Sequence, residues 1–460
     1  MSAPYALLDK SQTRSLNLNQ IEVKGGDSYS QEFFQTTFQP LLHTKDVTFQ
    51  RLVSSIDECT ANLERSGSFS NINVTIDTDV SVISAAKAAK PFEEPIPVKA
   101  VFHVDEVSIK AISPNMTVTN DNLRLGLWYM NNNINGNGEQ LSAAGFASAY
   151  TDSKFANLML TTPLQKRPET SSLFMVNASS EASTSVQSTQ QSGLMGFKSK
   201  HSDYFSSFFG LSLSARSFVN TTEEIPDAIR KDMGTSSKTS MFLNGEYNSV
   251  AYDATFPATG LSVSMHNCID NCIDSAAQLN YKTLKTELGL NYYKSFPCHN
   301  FATFQLHGNV GNLTTMNQAN QSLVHFHDKF AASDLHGLGS DLVSERKDTV
   351  YGSSIATVGS SLSCKLPYLF KLDTPVRFSV FGNVNKLGDA LSHTSVSAES
   401  LKSVASLQAL NENFLVNYGL GLKYQNGAAN FDISYVMSNQ KYASTFRPGL
   451  QFNFSLVGVY

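Results

Sequence analysis

No run of about twenty apolar residues occurs in this 460-residue chain, so no single helix of it is apolar enough to cross a bilayer. Charge is scarce as well. Asp, Glu, Lys and Arg make up 16% of the residues, against about 25% in an average soluble domain. The formal net charge is −5 and no long basic run occurs, so nothing points to nucleic acid as a partner. Cysteine is sparse, odd in number at 5, and scattered. Cys268 and Cys272 form a lone C-x3-C with no two further ligands at zinc spacing, which reads as free thiols near a strand end. Residues 1–19 lack the apolar core of a secretory signal and the Arg-rich amphipathic helix of a transit peptide. Two expectations follow: insertion from the cytosol without cleavage, or a signal already removed.

Catalytic signatures are missing too. There is no G-x-S-x-G, no P-loop and no H-E-x-x-H, so neither an enzyme nor a cofactor is expected. His325-Phe326-His327-Asp328 places two imidazoles two residues apart, but a third metal ligand cannot be named. Glu93-Glu94 flanks prolines in a hinge and reads as solvated charge rather than an acid–base pair. The sequons at Asn73 and Asn220 are of a kind that arises by chance in a chain rich in Asn, Ser and Thr.

What the chain does contain is strand. The mean hydropathy of −0.18 looks soluble, but a transmembrane barrel exposes only alternate residues to lipid and keeps a polar, weakly charged lumen. Residues 414–424 show the pattern. Phe414, Val416, Tyr418, Leu420, Leu422 and Tyr424 share one face, and Asn417, Gly419, Gly421 and Lys423 the other. Phe431, Ile433, Tyr435 and Met437 then oppose Asp432, Ser434 and Ser438. Leu450, Phe452, Phe454 and Leu456 oppose Gln451, Asn453 and Ser455. About sixteen such runs follow one another, the first near Asn122 and the last near Gly449, with a weak one near Glu223. Three stretches break the rhythm. Residues 178–193 are Ser/Gln-rich and read as a solvated loop. Residues 314–349 are too long for a hairpin turn, and residues 386–412 suit a short amphipathic helix in a loop.

The first hundred residues differ. Leu16 to Lys24 alternates as a strand, Phe33, Phe34, Phe38 and Leu41 fall at helical spacing, and Phe49, Leu52, Val53, Ile56 and Leu63 form a second stripe closed by Gly67. Ile72 to Asp77 and Val98 to Val107 read as strands, giving the order β-α-α-β-β. The fold class expected is thus all-β: a membrane barrel of about 16 antiparallel strands over 117–460, an N-terminal α/β domain over 15–110, and a tail over 1–14.

Several motifs then match a known family in order. Asp328-Lys329-Phe330, followed by Ser333-Asp334-Leu335-His336-Gly337-Leu338, resembles the sixth loop of the POTRA-bearing outer-membrane insertases. In that family an acidic-basic-aromatic triplet precedes an aliphatic-Arg-Gly-aromatic tip; here His336 stands for the Arg and Leu338 for the aromatic. Tyr252 to Gly260, with Asp253, Pro257 and Gly260, resembles a family turn. Phe378 to Gly388 and Gly449 to Leu456 resemble its late strands, although Asn453 stands where Gly is usual. The N-terminal β-α-α-β-β unit resembles a single POTRA module, which favours the mitochondrial branch, the central barrel of the sorting and assembly machinery.

The resemblance implies an insertase in the mitochondrial outer membrane, with its POTRA domain in the intermembrane space. The implied partners are β-barrel precursors, accessory cytosol-facing subunits and membrane lipid. It also implies a lateral gate between the first strand, placed at Asn122–Asn131, and the last, Gly449–Tyr460. Leu123, Leu125, Leu127 and Tyr129 would line one edge, and Gln451, Asn453 and Ser455 the other. Alternatives left open are a porin-like channel, a protein-import or secretion pore of the same superfamily, and a soluble β-rich binding protein.

Overall fold

The structure is a computed structural model that describes residues 15–42, 47–78, 96–119, 123–150, 152–164, 167–182, 186–220, 230, 232–253, 255–274, 279–296, 301–316, 324–331, 351–366, 375–388, 415–426, 428–438 and 449–457. The chain divides into two compact units, the first built on the N-terminal sheet and the second on the barrel.

The N-terminal unit runs β1 (Ser15–Lys24), α1 (Gln31–Thr37), α2 (Gln39–Leu42), β2 (Val47–Thr48), α3 (Phe49–Ser66), β3 (Phe69–Thr78) and β4 (Ile96–Glu106), with sheet order β2-β1-β4-β3. Apart from the two-residue β2 and the division of the first expected helix into α1 and α2, this is the expected order. Ser30 caps α1 by accepting from the Phe33 N–H, and Thr48 caps α3 by accepting from Arg51. Gly67 ends α3 in the left-handed region at φ 65°. The stripe Leu52, Ile56 and Leu63 is buried against Phe33, Phe38, Leu41, Val98 and Phe102. Aromatic packing, such as Phe38 against Phe102 at 4.5 Å, closes the core.

The barrel strands are β5 (Lys110–Thr119), β6 (Leu123–Asn131), β7 (Gln140–Ser148), β8 (Lys154–Leu164), β9 (Arg167–Ala182), β10 (Val186–Lys200), β11 (Phe205–Asn220), β12 (Gly234–Asn248), β13 (Ala251–Asp253), β14 (Phe256–Asp274), β15 (Leu279–Ser295), β16 (Ala302–Thr315), β19 (Ser354–Cys364), β20 (Val376–Gly388), β21 (Leu415–Asn426), β22 (Ala429–Ser438) and β23 (Gly449–Val457). Two short strands, β17 (Phe330–Ala331) and β18 (Tyr351–Gly352), pair with each other as a separate two-stranded sheet. Sixteen staves close the ring, because β12 pairs directly with β14 and β13 is a spur. Closure leaves no sheet edge facing lipid.

Alternation sorts the wall as the sequence pattern requires. Met195, Leu211, Met241 and Ile269 lie side by side on successive strands, and all four are exposed on the outside. Leu213 is 66% exposed and Leu450 64%, while the inward Asn417 and Val436 are 0% exposed. An apolar exterior of this extent is a lipid-facing surface, and the chain is a transmembrane β-barrel.

Two expectations need correction, and two others fall mainly outside the described residues. The first stave is β5, at Lys110–Thr119, and it pairs with β23 from Thr119↔Asn453 to Asn115↔Val457. The segment placed first, β6, is the second stave. Ser113-Pro114-Asn115 disguises β5 as a linker. The Ser/Gln-rich stretch is strand over 178–182 and 186–193, with β10 paired to β11 along its length. The weak run near Glu223 falls largely on residues 221–229, outside the described residues, and β12 starts at Gly234. The helix expected in 386–412 also falls mainly outside them, while Lys386–Gly388 complete β20.

Candidate functional site

Among the described residues, a concentrated group of ionised side chains lies in the barrel interior at the root of the long loop between β16 and β19. A 3-10 turn, Phe326–Asp328, carries Asp328 into it. Arg216 on β11 donates to Asp328 from Nη1 at 2.7 Å and from Nη2 at 3.2 Å. Lys238 Nζ on β12 donates to Asp328 Oδ1 at 3.0 Å, and the Tyr281 hydroxyl on β15 donates to Oδ2 at 2.9 Å. The Cys272 thiol on β14 lies 3.6 Å from Oδ2. Lys238 also reaches Asp270 Oδ2 at 2.8 Å, which accepts from Thr283 as well. Two acids and two bases thus meet in a neutral cluster.

Strand register brings these residues together. Lys238 pairs with Cys272, and Cys272 with Tyr281, so the three form one inward row across β12, β14 and β15. Arg216 is inward on β11, opposite Ser236 and one inward position from Lys238. Burial alone would raise the Asp328 carboxyl, but the Lys238 and Arg216 charges outweigh it and hold it well below the usual carboxylate range. A buried carboxylate with two cations and a phenol is a latch, since loss of one partner strands the others.

Two further contacts fix the same root. His325, 1% exposed, donates from Nε2 to the Asp232 carbonyl oxygen at 2.9 Å, while its Nδ1 accepts from the His327 N–H at 3.2 Å. Both contacts require the neutral tautomer with its proton on Nε2. Burial, reinforced by the Arg216 charge, pushes His325 down to about 4. The Asp232 carboxylate accepts from the Phe326 N–H at 2.9 Å. On the other side, Phe330 is buried with Leu313, Ile355, Leu387 and Leu415. Lys285 Nζ lies 4.3 Å from the Phe330 ring centre. The far edge of the Phe330 ring sits against Gly311, where a Cβ would stand 2.5 Å from it.

Of the expected site residues, Asp328 and Phe330 are therefore central, and Lys329 is half-buried between them. Ser333, Asp334, Leu335, His336, Gly337 and Leu338 lie outside the described residues. His325 and His327 serve the turn's own hydrogen bonds, and no group of three potential metal ligands occurs among the described residues. Leu123, Leu125, Leu127 and Tyr129 lie on β6, with Leu125 and Leu127 exposed on the outside. Gln451, Asn453 and Ser455 lie on the inward face of β23, and Asn453 and Ser455 pair with Thr119 and Thr117 of β5. Sequence reasoning missed Arg216, Lys238, Asp270 and Tyr281. The signal was there, because a charged residue inside a barrel strand needs a partner.

Comparison with known proteins agrees with this architecture. The Omp85 superfamily domain matches residues 133–457. The Sorting assembly machinery 50 kDa subunit of Saccharomyces cerevisiae is 26% identical over 181 residues, which cover 38% of this chain and 36% of that protein. The match thus spans about a third of the relative's length. BamA from Haemophilus ducreyi lacking POTRA domains 1-3 shares the fold with a TM-score of 0.66 at 14% identity, covering 96% of this chain and 85% of that one. CdiB from Acinetobacter baumannii does so with a TM-score of 0.60 at 11% identity, covering 100% and 80%. With its barrel matched from residue 133 to residue 457, the chain belongs to the Omp85 superfamily.

Proposed function

We propose that this protein folds and inserts β-barrel precursors into the mitochondrial outer membrane through the seam between β23 and β5. Its N-terminal domain faces the intermembrane space, and accessory subunits sit on the cytosolic side. The observation that carries the reading is the seam. Its described ladder runs from Asn115↔Val457 to Thr119↔Asn453. The seam joins the one pair of neighbouring staves that do not follow one another along the chain, so opening it breaks no local link. The named relative and the superfamily support the assignment to barrel assembly.

No covalent step is needed. An orphaned backbone N–H or C=O costs several kcal/mol in hydrocarbon, so a precursor strand needs a partner before it enters lipid. An opened β5 or β23 offers that partner as a sheet edge, and the precursor adds to it strand by strand. The latch lies on β11, β12 and β15, close to halfway round the ring from the seam, so the loop it holds is fixed to the wall that does not part.

The seam also supplies the test. Thr117 and Ser455 are direct partners. Thr117→Cys with Ser455→Cys, after replacement of the native cysteines, should crosslink on oxidation. Assembly of a radiolabelled porin precursor, followed on native gels, should stop in the oxidised protein and resume on reduction. The same crosslink at Gln425 and Asn430, between β21 and β22, should leave assembly intact. Normal assembly through a fully crosslinked seam would refute the gate. Normal precursor assembly after depletion of the protein would refute the insertase role itself.

A further inference from the structure

The turn between β6 and β7 has the composition of a slack loop, Asn131-Asn132-Asn133-Ile134-Asn135-Gly136-Asn137-Gly138-Glu139, yet most of it is bonded. Asn133 is buried, and its carboxamide works from both ends. Nδ2 donates to the Ser28 carbonyl at 2.7 Å, and Oδ1 accepts from the Gly138 N–H at 3.3 Å. The Gly136 carbonyl accepts from the Ser30 N–H at 2.7 Å, and Asn137 Oδ1 accepts from the Ser30 hydroxyl at 2.6 Å. The turn is thus a seat for residues 28–30 of the N-terminal domain, at the point where Ser30 caps α1. Gly136, at φ 87°, shapes the seat in a conformation that favours glycine.

The chain holds four Asn-Gly dipeptides, beginning at Asn135, Asn137, Asn244 and Asn426. Such a pair can react with itself, because glycine leaves its amide nitrogen unhindered beside the Asn carboxamide. The nitrogen attacks Cγ, ammonia leaves, and a five-membered imide forms. Water then opens the imide at either carbonyl, giving aspartate or an isoaspartate whose main chain runs through Cβ. The reaction needs a free carboxamide and a free glycine N–H. Asn137 has neither: its N–H and Nδ2 donate to Glu139 at 3.1 and 3.3 Å, its Oδ1 accepts from Ser30, and the Gly138 N–H is bonded to Asn133. Asn244 and Gly245 lie inside β12, paired on both sides to β11 and β14. Asn426 donates to the Tyr424 hydroxyl at 3.4 Å and pairs with Ala429. Asn135 is exposed, and among the described residues neither its side chain nor the Gly136 N–H has a partner.

We propose that Asn135 is a self-modification site that deamidates through the Gly136 nitrogen, and that its isoaspartyl product unseats residues 28–30 from the turn. The extra main-chain carbon lengthens the link between residues 135 and 136 by about 1.5 Å. The Gly136 carbonyl, next along the chain, is the group that holds the Ser30 N–H. A shift of that size carries the bond beyond hydrogen-bonding range. The step consumes one water and releases one ammonia, and it is the same whether or not the barrel is an insertase.

The test ages the purified, folded full-length protein in mildly alkaline buffer made with heavy-oxygen water, with folding checked by heat-modifiable gel migration. Peptide mass spectrometry should find one heavy oxygen at residue 135. Every hydrogen bond that must open first slows the attack, so Asn135 should convert at least about tenfold faster than Asn137. In denaturant the two should convert at similar rates. Hydrogen exchange over residues 28–33 should quicken in step with the isoaspartate. Asn135→Gln, whose longer side chain closes the ring poorly, should abolish both changes. Freshly prepared Asn135→Asp supplies the charge without the extra main-chain carbon, and should keep residues 28–33 protected. Folded protein in which Asn135 converts no faster than Asn137, or fully converted protein in which residues 28–33 stay as protected as before, overturns the proposal.

Discussion

Asp328→Asn isolates the latch, because it keeps the shape and removes only the charge. The carboxylate receives two bonds from Arg216, one from Lys238 and one from Tyr281. Lys238 keeps Asp270 at 2.8 Å, so the loss falls on Arg216, whose side chain is 2% exposed. Breaking a buried pair by removing one partner costs about 3–5 kcal/mol. At the lower figure, the population of loop roots detached from the wall should rise by about two orders of magnitude. Hydrogen exchange over residues 324–330 reads this directly, because the Phe326 and Asp328 N–H groups are both bonded in the attached state. Arg216→Met should be damaging for the converse reason. The double variant Asp328→Asn/Arg216→Met should be milder than the sum of the two, since no charge is left stranded between them. Unchanged exchange in Asp328→Asn, or strict additivity in the double variant, would show that the ion pair does not hold the root.

His325 and the N-terminal core give two further tests. The attached root holds His325 neutral and its titration is pushed down to about 4, so its contribution is complete above the ordinary histidine value of 6.5. That contribution is lost as pH falls from there toward about 4, on the order of 3 kcal/mol in all. Asp328 runs differently: its lowered carboxyl contributes fully above the ordinary value of 3.8, so it is not what weakens between pH 6.5 and 4. Exchange over residues 324–330, corrected for its intrinsic pH dependence, should therefore quicken on acidification to pH 5, and His325→Gln should reduce the pH dependence to the part carried by His327, whose titration burial also pushes down. A wild-type root equally protected at pH 7 and pH 5 would contradict this. In the N-terminal unit, Leu52→Asp places a carboxylate at a position 0% exposed. It should cost more than the roughly 2–5 kcal/mol of a buried Leu→Ala and unfold that unit, seen as protease cleavage within residues 15–106, while the barrel stays heat-modifiable.

Much of this architecture is legible in the sequence, for a physical reason. A strand between lipid and a polar lumen must alternate, so β21 could be read residue by residue, with Tyr418 and Leu420 outward and Asn417 buried inward. Helix α3 was legible because its stripe and its Gly67 cap are both local. β5 was not, because Pro114 and the small polar residues around it carry no sequence alternation, and only its place between β23 and β6 in the ring makes them a strand. β10 failed likewise, since Ser and Gln fit either face of a barrel wall and composition alone suggested solvent. The latch was half legible. Asp328-Lys329-Phe330 stood out as a motif, but Arg216 and Lys238 lie 112 and 90 residues from Asp328, and nothing local joins them.

Strand length varies round the ring, and it varies in step with the latch and the seam. β14 has 19 residues and β15 has 17, whereas β6, β7 and β23 have 9 each. A sheet resists bending through the bonds that each strand shares with the next, so the wall is stiff in one sector and compliant in the other. The loop root is bolted to the stiff sector. A push on the ring, whether from lateral pressure in the bilayer or from a strand wedging at β5, should be taken up almost wholly by the compliant staves. If the proposed seam opens, the molecule acts in mechanical terms as a clamp with one fixed jaw and one that yields, and the loop root stays with the fixed jaw.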